Sequence, residues 1–288
     1  MRRLKTVQEI ITATSGYFGK HGVESARLNA ELLLAHVLGK NRLDLYLEFD
    51  RPLGERELDP LRELMKRRAA GEPLQHLLGT VEFHGRSFLC DARALIPRPE
   101  TEHLVELLLA LPANKGTPPE RVLDVGAGSG VIALTLAAEW PEATVDAVDI
   151  SPNALALATE NAARLGLAER VHFLQSDLFS GLAGKGNRYG LIVANLPYIP
   201  AGEIAGLSRE VRHDPVSALD GGADGAEVIR VFLDQARAHL DAGGTVALEI
   251  GAGQSEMLVE HLRLLGYNDI RWTADYGGIN RFHFATHG

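Results

Sequence analysis

Apolar residues in the first part of the chain recur every three or four positions, which is the period of an amphipathic helix. One such stripe, over residues 28–38, predicts a helix with Ser25 as its N-cap. An earlier helix is expected after Thr6, because its hydroxyl and the Glu9 carboxylate can each accept a free backbone amide. Asp59-Pro60 predicts a third helix start, with an N-cap followed by proline at the first helical position. Together these elements predict a small α-helical domain.

The hydrophobic pattern changes at Thr80, where short β-branched and aromatic runs surround His84-Gly85 and predict a hairpin. We take this hairpin as the link between two larger modules. The predicted division is an N-terminal helical substrate-recognition domain over residues 1–78, a β-hairpin linker over 79–95 and a second domain over 96–288.

Beyond Pro97 the chain alternates short apolar, β-branched runs with helical stretches. That alternation predicts an α/β domain with a mainly parallel sheet and helices on both of its faces. The last two runs, 269–273 and 281–286, are expected to pair as an antiparallel edge. The predicted parallel strands are 122–125, 144–150, 171–174, 191–194 and 245–250, and the predicted helices include 131–139, 152–165 and 226–240.

Composition and charge narrow the functions open to these 288 residues. The net charge is −9 and aromatic residues make up 6%, so neither the basic surface nor the stacking surface of a typical nucleic-acid binder is indicated. The single cysteine, Cys90, cannot form an internal disulfide, and no Cys/His spacing is typical of a zinc site. No apolar run is long enough to span a membrane. We therefore expect a cytoplasmic protein with no metal site, no membrane span and no direct nucleic-acid partner.

A glycine-rich turn follows the first predicted parallel strand, where α/β sheets bind ligands. The turn Gly126-Ala127-Gly128-Ser129-Gly130 opens directly into a helix, so backbone amides can approach a ligand closely. A tight turn without a ligand is the alternative. The dinucleotide fingerprint would place its third glycine where Val131 stands, and no P-loop is present. The turn therefore favours a nucleotide-like cofactor other than NAD or ATP.

Acidic residues follow at the next two strand ends. Asp149, with Ile150 beside it, is placed to accept hydrogen bonds from two ribose hydroxyls. Asp177 could hold an adenine amino group while Leu178 packs on the ring. Capping the next helix is the alternative role for Asp149, although Ser151 is available for it. A glycine turn, a ribose acid and an adenine acid at consecutive strand ends predict S-adenosylmethionine as the cofactor.

The fourth strand ends at Asn195-Leu196-Pro197-Tyr198, which indicates the methyl acceptor. Amide and aminopurine nitrogens are poor nucleophiles, so an enzyme must orient them with hydrogen-bond acceptors. Asn195 Oδ1 and the Leu196 carbonyl can supply two acceptors, and Asn195 also adjoins the cofactor. Pro197 stiffens the loop, and the Tyr198 ring can stack on a planar group. We predict that these four residues bind and position a planar NH₂ group, against the alternative of an ordinary turn.

With these residues, the chain resembles class I methyltransferases, and longer motifs narrow the resemblance to bacterial release factor glutamine N5-methyltransferases. The first group of motifs is GEPLQHLLG at 71–79, FHGRSF at 83–88 and LIPRPETE at 95–102. The second group is EVRHDP at 210–215, ALDGGADG at 218–225 and LEIG at 248–251. The resemblance covers nearly the whole chain and is weakest over the first 60 residues.

This resemblance implies a Rossmann-like, mainly parallel seven-stranded sheet and methyl transfer from S-adenosylmethionine to a protein. The acceptor would be the glutamine of the Gly-Gly-Gln motif in class I peptide chain release factors. Arg98 and Glu100, within the motif at 95–102, are then candidate substrate-binding residues. Their alternative role is an interdomain salt bridge and a helix cap. We expect the enzyme to act as a monomer.

Two departures keep other functions open. The family usually has proline where this chain has Leu196, and usually tyrosine where it has His76. Asn-Leu-Pro-Tyr is also similar to the motif of ribosomal RNA adenine dimethyltransferases, so an rRNA adenine N6-methyltransferase is the main alternative. A ribosomal-protein glutamine methyltransferase and a catalytically inactive binding module are two further alternatives.

Overall fold

The computed structural model describes residues 4–111, 117–182, 186 and 188–288, which form two compact units. One unit comprises Met1–Thr80 with Ser208–His213, and the other comprises Val81–Leu207 with Asp214–Gly288. The segment Ser208–His213 is far from the first unit in sequence, and no local pattern indicated that it belongs there. The sequence-based division at residues 78 and 95 remains a prediction.

The first unit is built from helices around its own apolar core. Its α1 begins after the capping pair expected from the sequence: Thr6 N–H donates to Glu9 Oε2 at 3.0 Å, and Glu9 N–H donates to Thr6 Oγ1 at 3.3 Å. Buried leucine, isoleucine and phenylalanine side chains, among them Phe18 and Leu33, fill the space between the helices. The helices are α1 (Val7–Lys20), α2 (Ala26–Leu38), α3 (Arg42–Leu47), α4 (Glu55–Ala69) and α5 (Leu74–Leu78).

One predicted helix start in this unit is confirmed without its expected cap, and another is wrong. Helix α2 begins directly after Ser25, but Ser25 has φ 47° rather than the extended backbone typical of a capping residue, and its side chain makes no capping hydrogen bond. Pro60 lies inside α4 rather than at its first position. The helix begins earlier because the Glu57 carboxylate accepts the Gly54 N–H at 2.9 Å, which caps a turn upstream of Asp59.

The predicted hairpin forms at the start of the second unit, and only its first residue, Thr80, is assigned to the first unit. Strands β1 (Thr80–Phe83) and β2 (Arg86–Leu89) form a two-stranded sheet. Between them, His84 and Gly85 have φ 48° and 69°, as a two-residue turn that matches the twist of the strands requires.

The main sheet has seven strands in the order β5-β4-β3-β6-β7-β9-β8. The first five are parallel, and β9 runs antiparallel to both β7 and β8. The sequence predicted the parallel strands and the antiparallel pairing of β8 with β9. The strands are β3 (Arg121–Val125), β4 (Thr144–Asp149), β5 (Val171–Gln175), β6 (Tyr189–Asn195), β7 (Leu240–Glu249), β8 (Tyr267–Ala274) and β9 (Asn280–His287). The helices are α6 (Pro99–Leu109), α7 (Val131–Glu139), α8 (Pro152–Arg164), α9 (Glu227–Ala236) and α10 (Ser255–Leu264).

Apolar side chains cover both faces of this sheet. Val122 belongs to a core shared with α6 and α7, while its neighbour Leu123 belongs to a core shared with α9 and α10. This alternation follows from the strand period of two. The strand order reverses between β3 and β6, which leaves a crevice at their carboxyl ends. In the part of the chain described, no helix is long and apolar enough to cross a membrane.

Candidate active site

A cavity of about 260 Å³ lies at the carboxyl ends of the parallel strands, at the reversal of strand order. The loops after β3, β4, β5 and β6 all contribute to its wall. Three of the predicted site residues, Gly130, Tyr198 and Glu100, do not line it. The predicted residues that do are Arg98, Gly126, Ala127, Gly128, Ser129, Asp149, Ile150, Asp177, Leu178, Asn195, Leu196 and Pro197.

The turn after β3 can exist only with glycine at two of its positions. Gly126 has φ 80°, and a Cβ there would lie 3.0 Å from Leu196 Cδ2. Gly130 has φ 83°, and a Cβ there would lie 3.1 Å from Ala158 Cβ. Both positions combine a left-handed backbone with close packing, which only glycine accommodates without strain. The turn therefore brings the start of α7 to the cavity wall, where its first amides can face a ligand.

Asp149 binds the same turn through backbone amides. Its Oδ2 accepts the Gly128 N–H and its Oδ1 accepts the Ser151 N–H, both at 2.8 Å. Burial raises the pKa of this carboxyl above its usual value, although both hydrogen bonds oppose the shift. Ser151 caps α8 itself by accepting the Ala154 N–H at 3.2 Å, so Asp149 is not needed as a cap. Each Asp149 oxygen can still accept a further hydrogen bond, so the carboxylate can bind the two hydroxyls of a ribose.

The loop after β5 presents a polar and an apolar side chain next to each other. Asp177 is exposed and Leu178 is half-buried, and both line the cavity. Leu178 has φ 46°, and its carbonyl accepts the Ser176 hydroxyl at 2.6 Å, which holds this unusual backbone. A carboxylate beside an aliphatic side chain suits the amino group and ring of adenine. These residues, with Asp149 and the glycine turn, fit S-adenosylmethionine.

The Asn195 side chain is held by residues that lie far away in sequence. Its Nδ2 donates to Thr101 Oγ1 at 2.9 Å, and that hydroxyl donates to Glu249 Oε2 at 2.7 Å. Thr101 and Glu249 are buried, and burial raises the pKa of Glu249 to about 7. Sequence reasoning gave neither residue a role in the site. Glu249 ends β7 at the same edge of the sheet as the predicted residues, so applying the strand-end rule to that strand would have found it.

Two loops hold the backbone of Asn195-Leu196-Pro197-Tyr198, called the tetrapeptide below. A Cβ on Gly221 would lie 2.8 Å from the Pro197 carbonyl oxygen, so the loop after residue 218 approaches the tetrapeptide through bare backbone. From the other side, Gln254 Nε2 donates to the carbonyls of Tyr198 and Gly225, each at 3.0 Å. No pattern in the sequence indicated a role for Gln254. The Tyr198 hydroxyl donates to Glu249 Oε1 at 3.4 Å, and stacking of its ring on the substrate remains a prediction.

Arg98 contacts the cavity and a buried carboxylate. Its Nη2 donates to Asp214 Oδ2 at 2.6 Å, and Asp214 Oδ1 accepts the Ile96 N–H at 3.1 Å. Both ion-pair partners belong to the second compact unit, so the alternative of an interdomain salt bridge is wrong. Arg98 precedes α6 without a side-chain cap, so the helix-cap alternative is wrong as well. Burial raises the pKa of Tyr198 and of Glu249, and the charge of the half-buried Glu100 adds to both shifts. Substrate binding by Arg98 and Glu100 remains a prediction.

Comparison with known proteins matches both halves of the chain to families. The PrmC N-terminal domain matches residues 9–79, and the methyltransferase small domain matches residues 101–209. A release factor glutamine methyltransferase from Geobacter sulfurreducens is 42% identical over 277 residues, which cover 96% of this chain and 95% of the relative. Its counterpart from Escherichia coli is 40% identical over 259 residues, which cover 90% of this chain and 91% of that relative.

Solved structures agree on the fold. A methyltransferase from Pyrococcus furiosus superimposes with a TM-score of 0.51 at 19% identity, over 71% of this chain and 90% of that one. At this identity the match supports the fold alone, and it confirms the class I methyltransferase architecture expected from the sequence. The near full-length relatives confirm the family resemblance. The chain therefore belongs to the release factor glutamine methyltransferase family and is an S-adenosylmethionine-dependent methyltransferase.

Proposed function

We propose that the enzyme methylates the side-chain amide nitrogen of the glutamine in the Gly-Gly-Gln motif of class I peptide chain release factors. The observation that carries this proposal is that Asn195 and Leu196 line the same cavity as Asp149 and the glycine turn. Amide-orienting acceptors and cofactor residues then face one space. The names of the relatives, which describe release factor glutamine methyltransferases, support the substrate.

The residues of the tetrapeptide orient the nucleophile. S-adenosylmethionine, when bound, supplies an electrophilic methyl group on a sulfonium sulfur. Asn195 Oδ1 and the Leu196 carbonyl would accept the two N–H groups of the glutamine amide, which fixes the plane of that amide and aims its nitrogen. The nitrogen, held in this way, would take the methyl group as the sulfonium S–C bond breaks, S-adenosylhomocysteine would be the leaving group, and one N–H proton would pass to solvent.

Methyl transfer with radiolabelled S-adenosylmethionine tests the proposal. The enzyme is incubated separately with a class I release factor, with the same factor carrying alanine in place of the Gly-Gly-Gln glutamine, with ribosomal RNA and with ribosomal proteins. Label in the first substrate and not in the second supports the proposal. Label in RNA or in a ribosomal protein alone would establish one of the alternative substrates, and label in none would indicate a binding module.

We expect Leu196→Pro to keep activity on the release factor within about tenfold of wild type, or about 1.4 kcal/mol of barrier. Only the carbonyl of residue 196 is assigned to the substrate, and proline keeps that carbonyl. Residue 196 lies after the last residue of β6, so proline there does not interrupt the strand. Leu196 is buried beside Gly126, so the loss of apolar contact should cost stability by on the order of 1 kcal/mol. Initial rates and thermal unfolding measure the two effects separately. A loss of activity far beyond tenfold in a folded variant contradicts this assignment.

We also propose that the enzyme works in the cytoplasm as a monomer. Cys90 is buried, and burial raises the pKa of its thiol to about 12, so it is unsuited to forming an intermolecular disulfide. Sedimentation at several protein concentrations tests the oligomeric state. A mass that rises with concentration argues against the monomer.

A further inference from the structure

The Asn195 carboxamide can serve the proposed reaction in only one of its two orientations. An asparagine amide ends in an oxygen that accepts hydrogen bonds and in a nitrogen that donates them, and the two groups have nearly the same shape. The NH₂ group of the methyl acceptor needs the oxygen. With the amide turned over, two donors would face each other and the acceptor would not be held.

The two hydrogen bonds that link Glu249, Thr101 and Asn195 can run in only one direction, from the Asn195 amide towards the Glu249 carboxylate. An ionised carboxylate only accepts hydrogen bonds, so Glu249 Oε2 takes the single proton of the Thr101 hydroxyl at 2.7 Å. The Thr101 oxygen then has only lone pairs left for Asn195, and it accepts the Nδ2–H at 2.9 Å. Thr101 and Asn195 both line the cavity, and because Nδ2 is engaged by Thr101, Oδ1 is the amide atom left to accept a hydrogen bond from a substrate there.

We propose that Thr101 and Glu249 are positioning residues, which orient the Asn195 carboxamide so that Oδ1 faces the methyl acceptor. This proposal rests on the proposed function and deepens it. Thr101 lines the cavity and Glu249 does not, and neither residue is assigned a contact with the reacting atoms. Their effect passes through Asn195, and it depends on the carboxylate at the far end of the chain of hydrogen bonds.

The surroundings of Glu249 make its charge sensitive to pH. Burial is the main cause of its raised pKa of about 7, and the nearby Glu100 on α6 adds to it. The hydrogen bond from Thr101 opposes the shift, and so does Arg281 on β9, whose guanidinium is held by Asp275 at 2.8 Å. The Tyr198 hydroxyl faces the other carboxylate oxygen. Below about pH 7 the protonated carboxyl can itself donate to Thr101, and the direction of the hydrogen bonds is lost.

The hydroxyl of Thr101 is tested with a pair of variants. Thr101→Val keeps the shape and removes the hydroxyl, so we expect kcat to fall by about tenfold or more with the S-adenosylmethionine Kd within about twofold. Thr101→Ser restores the hydroxyl, and its kcat should return to within about threefold of wild type. Equal kcat values for the valine variant and wild type would overturn the proposal, as would a serine variant no better than valine.

The pH profile tests Glu249. In the wild type, kcat should rise with pH through about 7, as the carboxyl ionises. Glu249→Gln can still accept the Thr101 proton through its amide oxygen but does not titrate, so its profile should flatten while activity persists. An unchanged rise in the glutamine variant would show that another group titrates, and the proposal would fail.

A measurement without methyl transfer separates this proposal from the proposed function. In ¹⁵N-labelled enzyme with S-adenosylmethionine bound, the Asn195 side-chain NH₂ resonances, assigned by their absence in Asn195→Asp, should shift with pH through about 7. Thr101→Val should abolish that shift. If the release factor is not methylated but the resonances behave this way, the positioning role of Thr101 and Glu249 stands and only the proposed substrate is wrong. Resonances that do not respond to pH in the wild type reject the positioning role.

Discussion

Asn195→Ala should lower kcat for release factor methylation by about 10²–10³-fold, the largest effect expected of any single substitution in this enzyme. The substitution removes the acceptor that aims the glutamine amide, and the Leu196 carbonyl alone does not fix the plane of that amide. The S-adenosylmethionine Kd should change much less, because the glycine turn and Asp149 are untouched. Single-turnover rates and calorimetry measure the two quantities.

Asn280→Ala is the matched control, because it removes the same atoms from an exposed position on β9. It should methylate at the wild-type rate. An Asn195→Ala enzyme that also keeps a near wild-type rate would refute the mechanism built on the tetrapeptide. A large loss of cofactor affinity with unchanged kcat would instead assign Asn195 to the cofactor alone.

Asp149→Ala should weaken S-adenosylmethionine binding at least about tenfold, since a hydrogen bond to a charged group contributes about 1.5–3 kcal/mol. Two effects combine in this variant. The ribose hydroxyls lose their acceptor, and the Gly128 N–H loses the carboxylate that holds the turn. Titration calorimetry on the folded variant gives the Kd. Binding to the wild type should also weaken at low pH, because a protonated Asp149 accepts fewer hydrogen bonds and its pKa is already raised by burial.

Asp241→Ala serves as the control for charge, because it removes an exposed carboxylate on β7 far from the glycine turn in sequence. Its cofactor affinity should equal that of the wild type. An unchanged affinity in Asp149→Ala would remove Asp149 from the ribose site. Thermal unfolding should accompany both measurements, since the lost amide contacts at Gly128 and Ser151 also lower stability.

Local patterns in the sequence predicted the strands of the sheet, several of the helices and part of the cavity wall. Apolar runs gave the strands, since their period and β-branched composition are set by neighbouring residues. The glycine turn and Asp149 could be assigned because parallel strands bring their carboxyl ends to one edge. Local patterns failed at one helix start and at one cap. Another cap begins the helix that contains Pro60, and Ser25 precedes its helix as predicted but has a left-handed backbone and makes no side-chain cap.

The sequence by itself determined the fold class, the family and some of the residues that line the cavity, among them the glycine turn and Asp149, because each of these follows from local periodicity or from contiguous motifs. Only the tertiary structure decided what holds Asn195. Thr101 lies 94 positions from Asn195 and 148 from Glu249, and it meets both through the placement of α6 beside the sheet. Such contacts depend on strand order and helix packing, which no periodicity within a single segment records. The orientation of one amide is therefore a property of the whole second unit.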